Sequence, residues 1–185
     1  IVVDNNSTDN TADVVRTFQS VTLVSEIRRG VQFAREAGRK VAKGEVIVNV
    51  DADCVPESSW LEKGMKYFDD PKVVAVSGPY EYRDGDFILR VSGVLMQKFL
   101  FNILHKLATV FFGRGYIMMG GNAFIRVSAL EKINGYNTNI LFYGDDTDTV
   151  NRLSVCGKVL YKNDVIVASS ARRFSRLGPV KTLCK

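Results

Sequence analysis

The sequence contains little cysteine, histidine or tryptophan. Its 185 residues include three cysteines, one histidine and one tryptophan. The cysteine count is odd and no CxxC spacing occurs, so neither a disulfide framework nor a paired-cysteine metal site is indicated. Unpaired thiols fit a cytoplasmic setting. Basic residues occur only in short groups without interleaved aromatic residues, which gives no indication of nucleic-acid binding.

Long uninterrupted apolar runs are also absent. The segment Asp86–Phe112 is mainly apolar, but polar residues interrupt it, so no continuous run is long enough to span a bilayer. Two interpretations remain open. The segment either lies on a membrane surface as an amphipathic helix or packs against the rest of its own protein. The first would place the protein at the cytoplasmic face of a membrane.

The bulk composition is that of an ordinary globular domain. Hydrophobic residues make up 46% of the chain, charged residues 24%, and the net charge is +5. The length suits a single domain with a substantial core. The chain opens on an apolar strand with neither an initiator Met nor a signal peptide. We therefore expect residues 1–185 to form a single domain that belongs to a longer protein. These 185 residues would lack the first strand of that domain's fold.

Strands and helices alternate in the first part of the chain. Apolar runs predict strands at Ile1–Val3, Val21–Val24 and Glu45–Val50, with helices at Thr11–Phe18 and Gly30–Ala42 between them. This order predicts an α/β fold with a doubly wound, mostly parallel sheet flanked by helices. The third strand is apolar almost throughout, so we expect it to be buried on both faces. Ligands bind such sheets beyond the carboxyl ends of the strands.

Two acidic clusters carry the candidate chemistry. Asp51 and Asp53 directly follow the third strand and offer hard oxygen ligands to Mg²⁺ or Mn²⁺, with substrate phosphates completing the shell. The neighbouring Cys54 is too soft a ligand for these ions. A second cluster, Asp145 to Asp148, offers a carboxylate that could act as a general base. The alternative is that these residues only stabilise a helix N-terminus.

Five segments, in order along the chain, resemble the motifs of family 2 glycosyltransferases. Ile1–Thr11 resembles the VVDDGSTDxT strand, Arg29–Gly44 the NxGxxxARNxGxxxAxG helix, Asp51–Pro56 the DxD loop, Gly120–Tyr136 the GxNxxxRR acceptor-side segment, and Gly144–Gly157 the EDxDLxxRLxxxG helix. The chain departs from the family pattern at Asn5 and Asn6, where Asp-Gly is usual. It also has no His after its last predicted strand, where many relatives place a further metal ligand.

The resemblance implies a GT-A fold with a nucleotide-sugar-binding half at 1–80 and an acceptor-side half at 81–185. It implies a metal-assisted, inverting glycosyltransferase of the hexosyltransferase type. The enzyme would move a sugar from a nucleotide-diphospho-sugar to an acceptor hydroxyl or a lipid phosphate, so the acceptor would be a sugar or lipid-linked. A nucleotidyltransferase-type enzyme and a non-catalytic GT-A-like binding domain are the alternatives.

The resemblance also assigns roles to individual residues. Asp146 is expected to be the catalytic base, with Asp145 as the close alternative, while Asp51 and Asp53 hold the metal. The nucleotide-sugar is expected to contact Asp4, Asn6, Arg35, Asp51, Asp53, Gly121, Asn122, Arg172 and Arg173. For Arg35, a surface salt bridge with Glu36 or Glu45 is an equally open alternative.

Overall fold

The computed structural model describes residues 1–140 and 144–172. Arg173, one of the predicted diphosphate-binding residues, lies outside the described residues. The strands are β1 (Val2–Asp4), β2 (Leu23–Ser25), β3 (Val46–Val50), β4 (Cys54–Pro56), β5 (Val73–Ser77), β6 (Tyr80–Tyr82), β7 (Asn122–Arg126), β8 (Lys158–Tyr161) and β9 (Val167–Ser169). The helices are α1 (Thr11–Arg16), α2 (Val31–Val41), α3 (Trp60–Met65), α4 (Phe87–Leu95), α5 (Asn102–Phe112), α6 (Val127–Lys132) and α7 (Asp145–Ser154). A 3₁₀ turn, Lys66–Asp69, extends α3, and a π-helical segment, Met96–Phe101, joins α4 to α5.

The strands form one four-stranded sheet in the order β3-β7-β5-β8 and two smaller sheets, β1-β2 and β4-β9-β6. The predicted α/β class is confirmed, but the two larger sheets are mixed, whereas β1 and β2 are parallel. β7 pairs antiparallel with both β3 and β5, whereas β5 and β8 are parallel. The expectation that the third strand is buried on both faces is wrong. In the described part of the chain, β3 pairs with β7 alone, and its residues are half-buried or exposed.

Side-chain alternation along β7 builds a core on each face of the central sheet. Ala123 and Ile125 point into a cluster with Leu130 of α6 and Leu153 of α7. Phe124 points the other way and packs against Trp60 of α3, with ring centroids 4.6 Å apart. Successive strand residues face opposite sides of a sheet, so one strand can serve both cores. The central sheet is therefore covered by helices on both faces, as expected for a doubly wound fold.

The register between β3 and β7 brings the turn after β3 next to the segment that precedes β7. Val50 at the end of β3 lies opposite Asn122 at the start of β7. One residue further, the Asp51 amide donates to the Gly121 carbonyl over 3.4 Å. The antiparallel pairing therefore places the turn carrying Asp51 and Asp53 beside the Gly120–Gly121 pair.

A continuous helix, the long helix (Phe87–Phe112), consists of α4, the π segment and α5. Among the described residues it is the one helix that length and composition would allow to cross a membrane. The expectation that its polar residues rule out such a span is therefore not supported. Only 11% of its most apolar stretch is buried, so most of its apolar surface does not pack against the described residues.

Candidate active site

Arg35 of α2 joins the two acidic clusters. Its guanidinium lies 2.7 Å from Asp146 and 3.0 Å from Asp145, and its other nitrogen lies 3.5 Å from Asp51. The structure thus brings together carboxylates from the loop after β3 and from the start of α7. The alternative of a salt bridge with Glu36 or Glu45 is wrong, since the Arg35 side chain is buried in this cluster.

Charge compensation explains why a buried arginine is stable here. Burial alone would lower the pKa of Arg35, but the neighbouring carboxylates of Asp146, Asp51 and Asp145 outweigh burial and raise it. Three negative charges surround one positive charge, so the cluster retains an excess of negative charge. Such a site attracts a further cation.

Glycine at positions 120 and 121 lets the carboxylates approach the backbone. A Cβ on Gly121 would lie 2.1 Å from the Asp51 carboxyl carbon, and one on Gly120 would lie 1.9 Å from an Asp146 oxygen. The Gly120 amide also donates to Asp146 over 2.9 Å. The Gly120–Gly121 pair therefore makes room for the carboxylates of Asp146 and Asp51. Sequence reasoning missed the role of Gly120, although the doubled glycine was its signal.

Asp145 and Asp146 differ in exposure. The Asp145 side chain is 17% exposed, whereas that of Asp146 is 37% exposed. Burial raises the pKa of Asp145, the negative charge of Asp146 raises it further, and Arg35 opposes both effects. Each Asp146 oxygen accepts one hydrogen bond, from Arg35 or from Gly120, which leaves acceptor capacity on an open face. This geometry suits Asp146 better than Asp145 for contact with a substrate.

Asp51 and Asp53 occupy one turn at the end of β3. Burial raises the pKa of Asp51, with Asp146 and Asp53 adding to the shift against the effect of Arg35. Within residues 1–140 and 144–172, no three acidic, histidine or cysteine side chains converge as a metal cage. The donor set of two carboxylates fits Mg²⁺ or Mn²⁺ that takes its remaining ligands from a diphosphate and water.

Two neighbours complete this end of the site. Arg172, which follows β9, lies 3.2 Å from Asp53 and is largely exposed. It therefore reaches the predicted metal–diphosphate position, where its charge could contact phosphate. Cys54 is buried, and burial raises the pKa of its thiol to about 11. A thiol that stays protonated is a poor ligand, which agrees with excluding Cys54 from the metal set.

The loop after β1 carries the predicted nucleotide contacts Asp4 and Asn6. Asp4 accepts from the Ser7 amide, and Asn6 adopts a left-handed conformation with φ of 59°. That conformation explains why Asn can stand where glycine is usual. Between them, the Asn5 side chain accepts from the Gly30 amide at the start of α2. The loop is therefore fixed to the helix that carries Arg35.

Asn122 does not have the position expected of a ligand-binding residue. It is completely buried, and its side-chain oxygen accepts from the Trp60 indole over 3.0 Å. Its amide donates to the carbonyl oxygens of Pro79 and Val165. Because these bonds occupy both ends of the side chain, the structure assigns Asn122 to the core and corrects the prediction that it contacts the nucleotide-sugar.

Comparison with known proteins places this arrangement in a family. The family model described as glycosyl transferase family 2 matches residues 1–134. The chain therefore belongs to glycosyl transferase family 2, as its motifs indicated.

Individual relatives agree with this assignment. The glycosyltransferase AglE of Haloferax volcanii is 26% identical over 184 residues, covering 96% of this chain and 58% of the relative. The mannosyltransferase PcManGT of Pyrobaculum calidifontis, solved with GDP-Man and Mn²⁺, has a TM-score of 0.71 and 26% identity, covering 98% of this chain and 52% of that one. Glucosyl-3-phosphoglycerate synthase of Mycobacterium tuberculosis, solved with Mn²⁺, UDP-glucose and phosphoglyceric acid, has a TM-score of 0.60 and 16% identity, covering 97% of this chain and 64% of that one. The predicted GT-A fold is thus confirmed, and the chain spans little more than half of AglE and of PcManGT.

Proposed function

We propose that the protein is a metal-assisted, inverting glycosyltransferase of the hexosyltransferase type that uses a nucleotide-diphospho-sugar donor. The observation that carries this proposal is the convergence of Asp51 with Asp146 around Arg35. One carboxylate lies at the predicted donor side and the other at the predicted acceptor side of a single cluster. Relatives that were solved with nucleotide-sugars and Mn²⁺ support the donor class. No observation favours the nucleotidyltransferase alternative or a non-catalytic role.

The donor side would use the turn after β3. Asp51 and Asp53 would hold the divalent ion, which when bound neutralises charge on the departing diphosphate. Arg172 would add a second positive charge beside that diphosphate. Asp4 and Asn6, at the end of β1, would contact the nucleotide.

The acceptor side would use Asp146. Its carboxylate is held by Arg35 and by the Gly120 amide, so it has a fixed orientation before substrate binds. It would take the proton from an acceptor hydroxyl as that oxygen attacks the anomeric carbon, while the bond to the diphosphate breaks on the opposite face. A lipid phosphate acceptor is already ionised and would need orientation more than deprotonation.

Calorimetry on the full-length protein tests the donor assignment. We expect UDP-glucose or GDP-mannose to bind in the presence of Mn²⁺ and to lose most affinity when EDTA is added. The Asp53→Ala variant should show the same loss, whereas Asp13→Ala, an exposed carboxylate on α1, should bind normally. Failure of every UDP-, GDP- and dTDP-sugar to bind would refute the proposal.

The configuration of the product tests whether the transfer is inverting, as we propose. Transfer from an α-linked donor should give a β-linked product, read from the one-bond C1–H1 coupling in the NMR spectrum. A product that keeps the donor configuration would contradict inversion and with it the base role of Asp146. A cytoplasmic location, suggested by the unpaired cysteines, stays a prediction.

A further inference from the structure

The long helix (Phe87–Phe112) has an inverted distribution of polar and apolar residues. Its buried positions are Gly93, Gln97 and His105. Apolar side chains spaced three or four residues apart are instead 42% to 78% exposed: Ile88, Val91, Leu95, Phe99, Ile103, Leu107 and Val110. A surface helix in water normally shows the reverse arrangement. The exposed face of this helix is therefore suited to surroundings that are less polar than water.

The buried polar side chains attach the helix to the edges of two sheets. The Gln97 amide accepts from the Tyr80 N–H over 2.8 Å and donates to the Tyr80 carbonyl over 3.2 Å. The His105 Nε2 lies 3.0 Å from the Val159 carbonyl, and its Nδ1 accepts from the Ile117 amide. Both halves of the helix are thus anchored along the domain. The helix therefore lies along the domain at both attachment points, which favours a position on a membrane surface over a span.

The π-helical segment Met96–Phe101 makes this double attachment possible. Gln97 and His105 are eight residues apart, which in a regular α-helix leaves them roughly 80° apart around the axis. A π turn contains more residues, so the chain rotates less per residue and the two side chains share one face. The apolar stripe on the outer side then stays continuous across the junction.

The long helix itself and the segment that follows it carry charges of one sign. Residues 87–130 include five basic residues and no acidic residue. Within the described part of the chain, Arg90, Lys98, Lys106 and Arg114 form no ion pair with a carboxylate. Lys106 also lines an open cleft of about 900 Å³ between α5 and β8, together with Lys162. Unpaired cations beside an apolar stripe complement a surface that is apolar inside and anionic outside.

We propose that the long helix lies in the plane of an anionic lipid bilayer. Its apolar stripe enters the boundary between headgroups and acyl chains, and its basic residues contact lipid phosphates. This attachment is a property of a surface separate from the acidic cluster and does not depend on the sugar-transfer proposal.

Vesicle sedimentation with the full-length protein tests the proposal. The protein should bind vesicles that contain phosphatidylglycerol much more tightly than vesicles of phosphatidylcholine alone, and salt should weaken the binding. Phe99→Ser should lower the partition coefficient roughly tenfold, because a largely exposed ring no longer enters the lipid. Phe18→Ser is the matched control, since Phe18 is 59% exposed and Phe99 is 62% exposed.

The charge contribution is tested separately. Lys106→Gln should lower binding to anionic vesicles roughly fivefold and leave binding to neutral vesicles unchanged. Lys132→Gln, an exposed lysine at the end of α6, should have no effect. Circular dichroism checks folding, and Ile88→Ser replaces Phe99→Ser if the latter does not fold.

Three results would overturn the proposal. The first is a wild-type protein that does not bind anionic vesicles. The second is equal vesicle binding by Phe99→Ser and wild type. The third is a wild-type dimer, seen by light scattering, that Phe99→Ser makes monomeric without any change in vesicle binding. That outcome would assign the stripe to a protein interface.

Discussion

Replacing Gly121 by alanine tests the geometry of the donor side directly. The new methyl group would lie 2.1 Å from the Asp51 carboxyl carbon and 2.2 Å from one of its oxygens. Contacts below 3.0 Å are essentially never seen for a Cβ atom. The carboxylate must therefore move by about 1 Å, and it can do so by side-chain rotation without unfolding the protein.

A displacement of that size should be costly for function. Misplacement of a positioning group by about 1 Å reduces rates by roughly a hundredfold. We expect kcat/KM of the full-length Gly121→Ala variant to fall by about that factor. Because Asp51 contributes to the metal–diphosphate position, Mn²⁺-dependent affinity for GDP or UDP, measured by calorimetry, should fall as well.

The neighbouring glycine gives a contrasting variant. A methyl group at Gly120 would collide with Asp146 at 1.9 Å and with Arg35 at 2.6 Å. Gly120→Ala should therefore reduce kcat more strongly than it reduces nucleotide affinity. Gly44→Ala is the control, because its nearest contact would be 3.6 Å. If Gly121→Ala kept the nucleotide affinity and turnover of Gly44→Ala, Asp51 would have no place in the donor site.

Three further changes probe other parts of the molecule. Asp146→Asn should lower kcat by about a thousandfold with little change in donor KM, as steady-state kinetics would show; an unchanged kcat would exclude the base role. Burial lowers the pKa of His105 below 6.5, so the unfolded chain binds more protons and stability should fall as the pH drops below 6.5. Urea unfolding measured at about pH 7.5 and about pH 5.5 gives the loss of unfolding free energy between the two pH values. This loss should be smaller for His105→Gln than for wild type, and equal losses would refute the role of His105. Asn122→Ala leaves the Trp60 indole and the Val165 carbonyl without the partner that Asn122 supplies, so it should cost roughly 3 kcal/mol in urea unfolding; a cost near zero would contradict a core role.

The sequence was sufficient for the parts of the fold that show strong periodicity. The helix predicted over Gly30–Ala42 occurs as Val31–Val41, and the strand predicted over Glu45–Val50 occurs as Val46–Val50. Convergence of the two acidic clusters was indicated by the order of the family motifs, whereas strand position accounts only for the first cluster, which follows β3.

Features that depend on tertiary contacts were not predictable. β4 and β6 have three residues each, too few for a periodic signal, and form only by pairing with β9. By its residue type Asn122 resembles a polar loop residue, yet its hydrogen-bond partners come from three distant segments of the chain. Arg35 has acidic neighbours in sequence, but its actual partners become close only after folding.

The π-helical segment in the long helix has a consequence for insertions and deletions. Removing one residue from Met96–Phe101 would leave Gln97 and His105 seven residues apart, which is about two turns of a regular α-helix. The junction can therefore absorb a deletion by becoming regular α-helix, with both anchoring side chains still on one face. The same deletion inside α5, between Asn102 and His105, has no such outlet: it would turn every later residue by about 100° and break the outer strip in two, although no side chain of that strip had been altered.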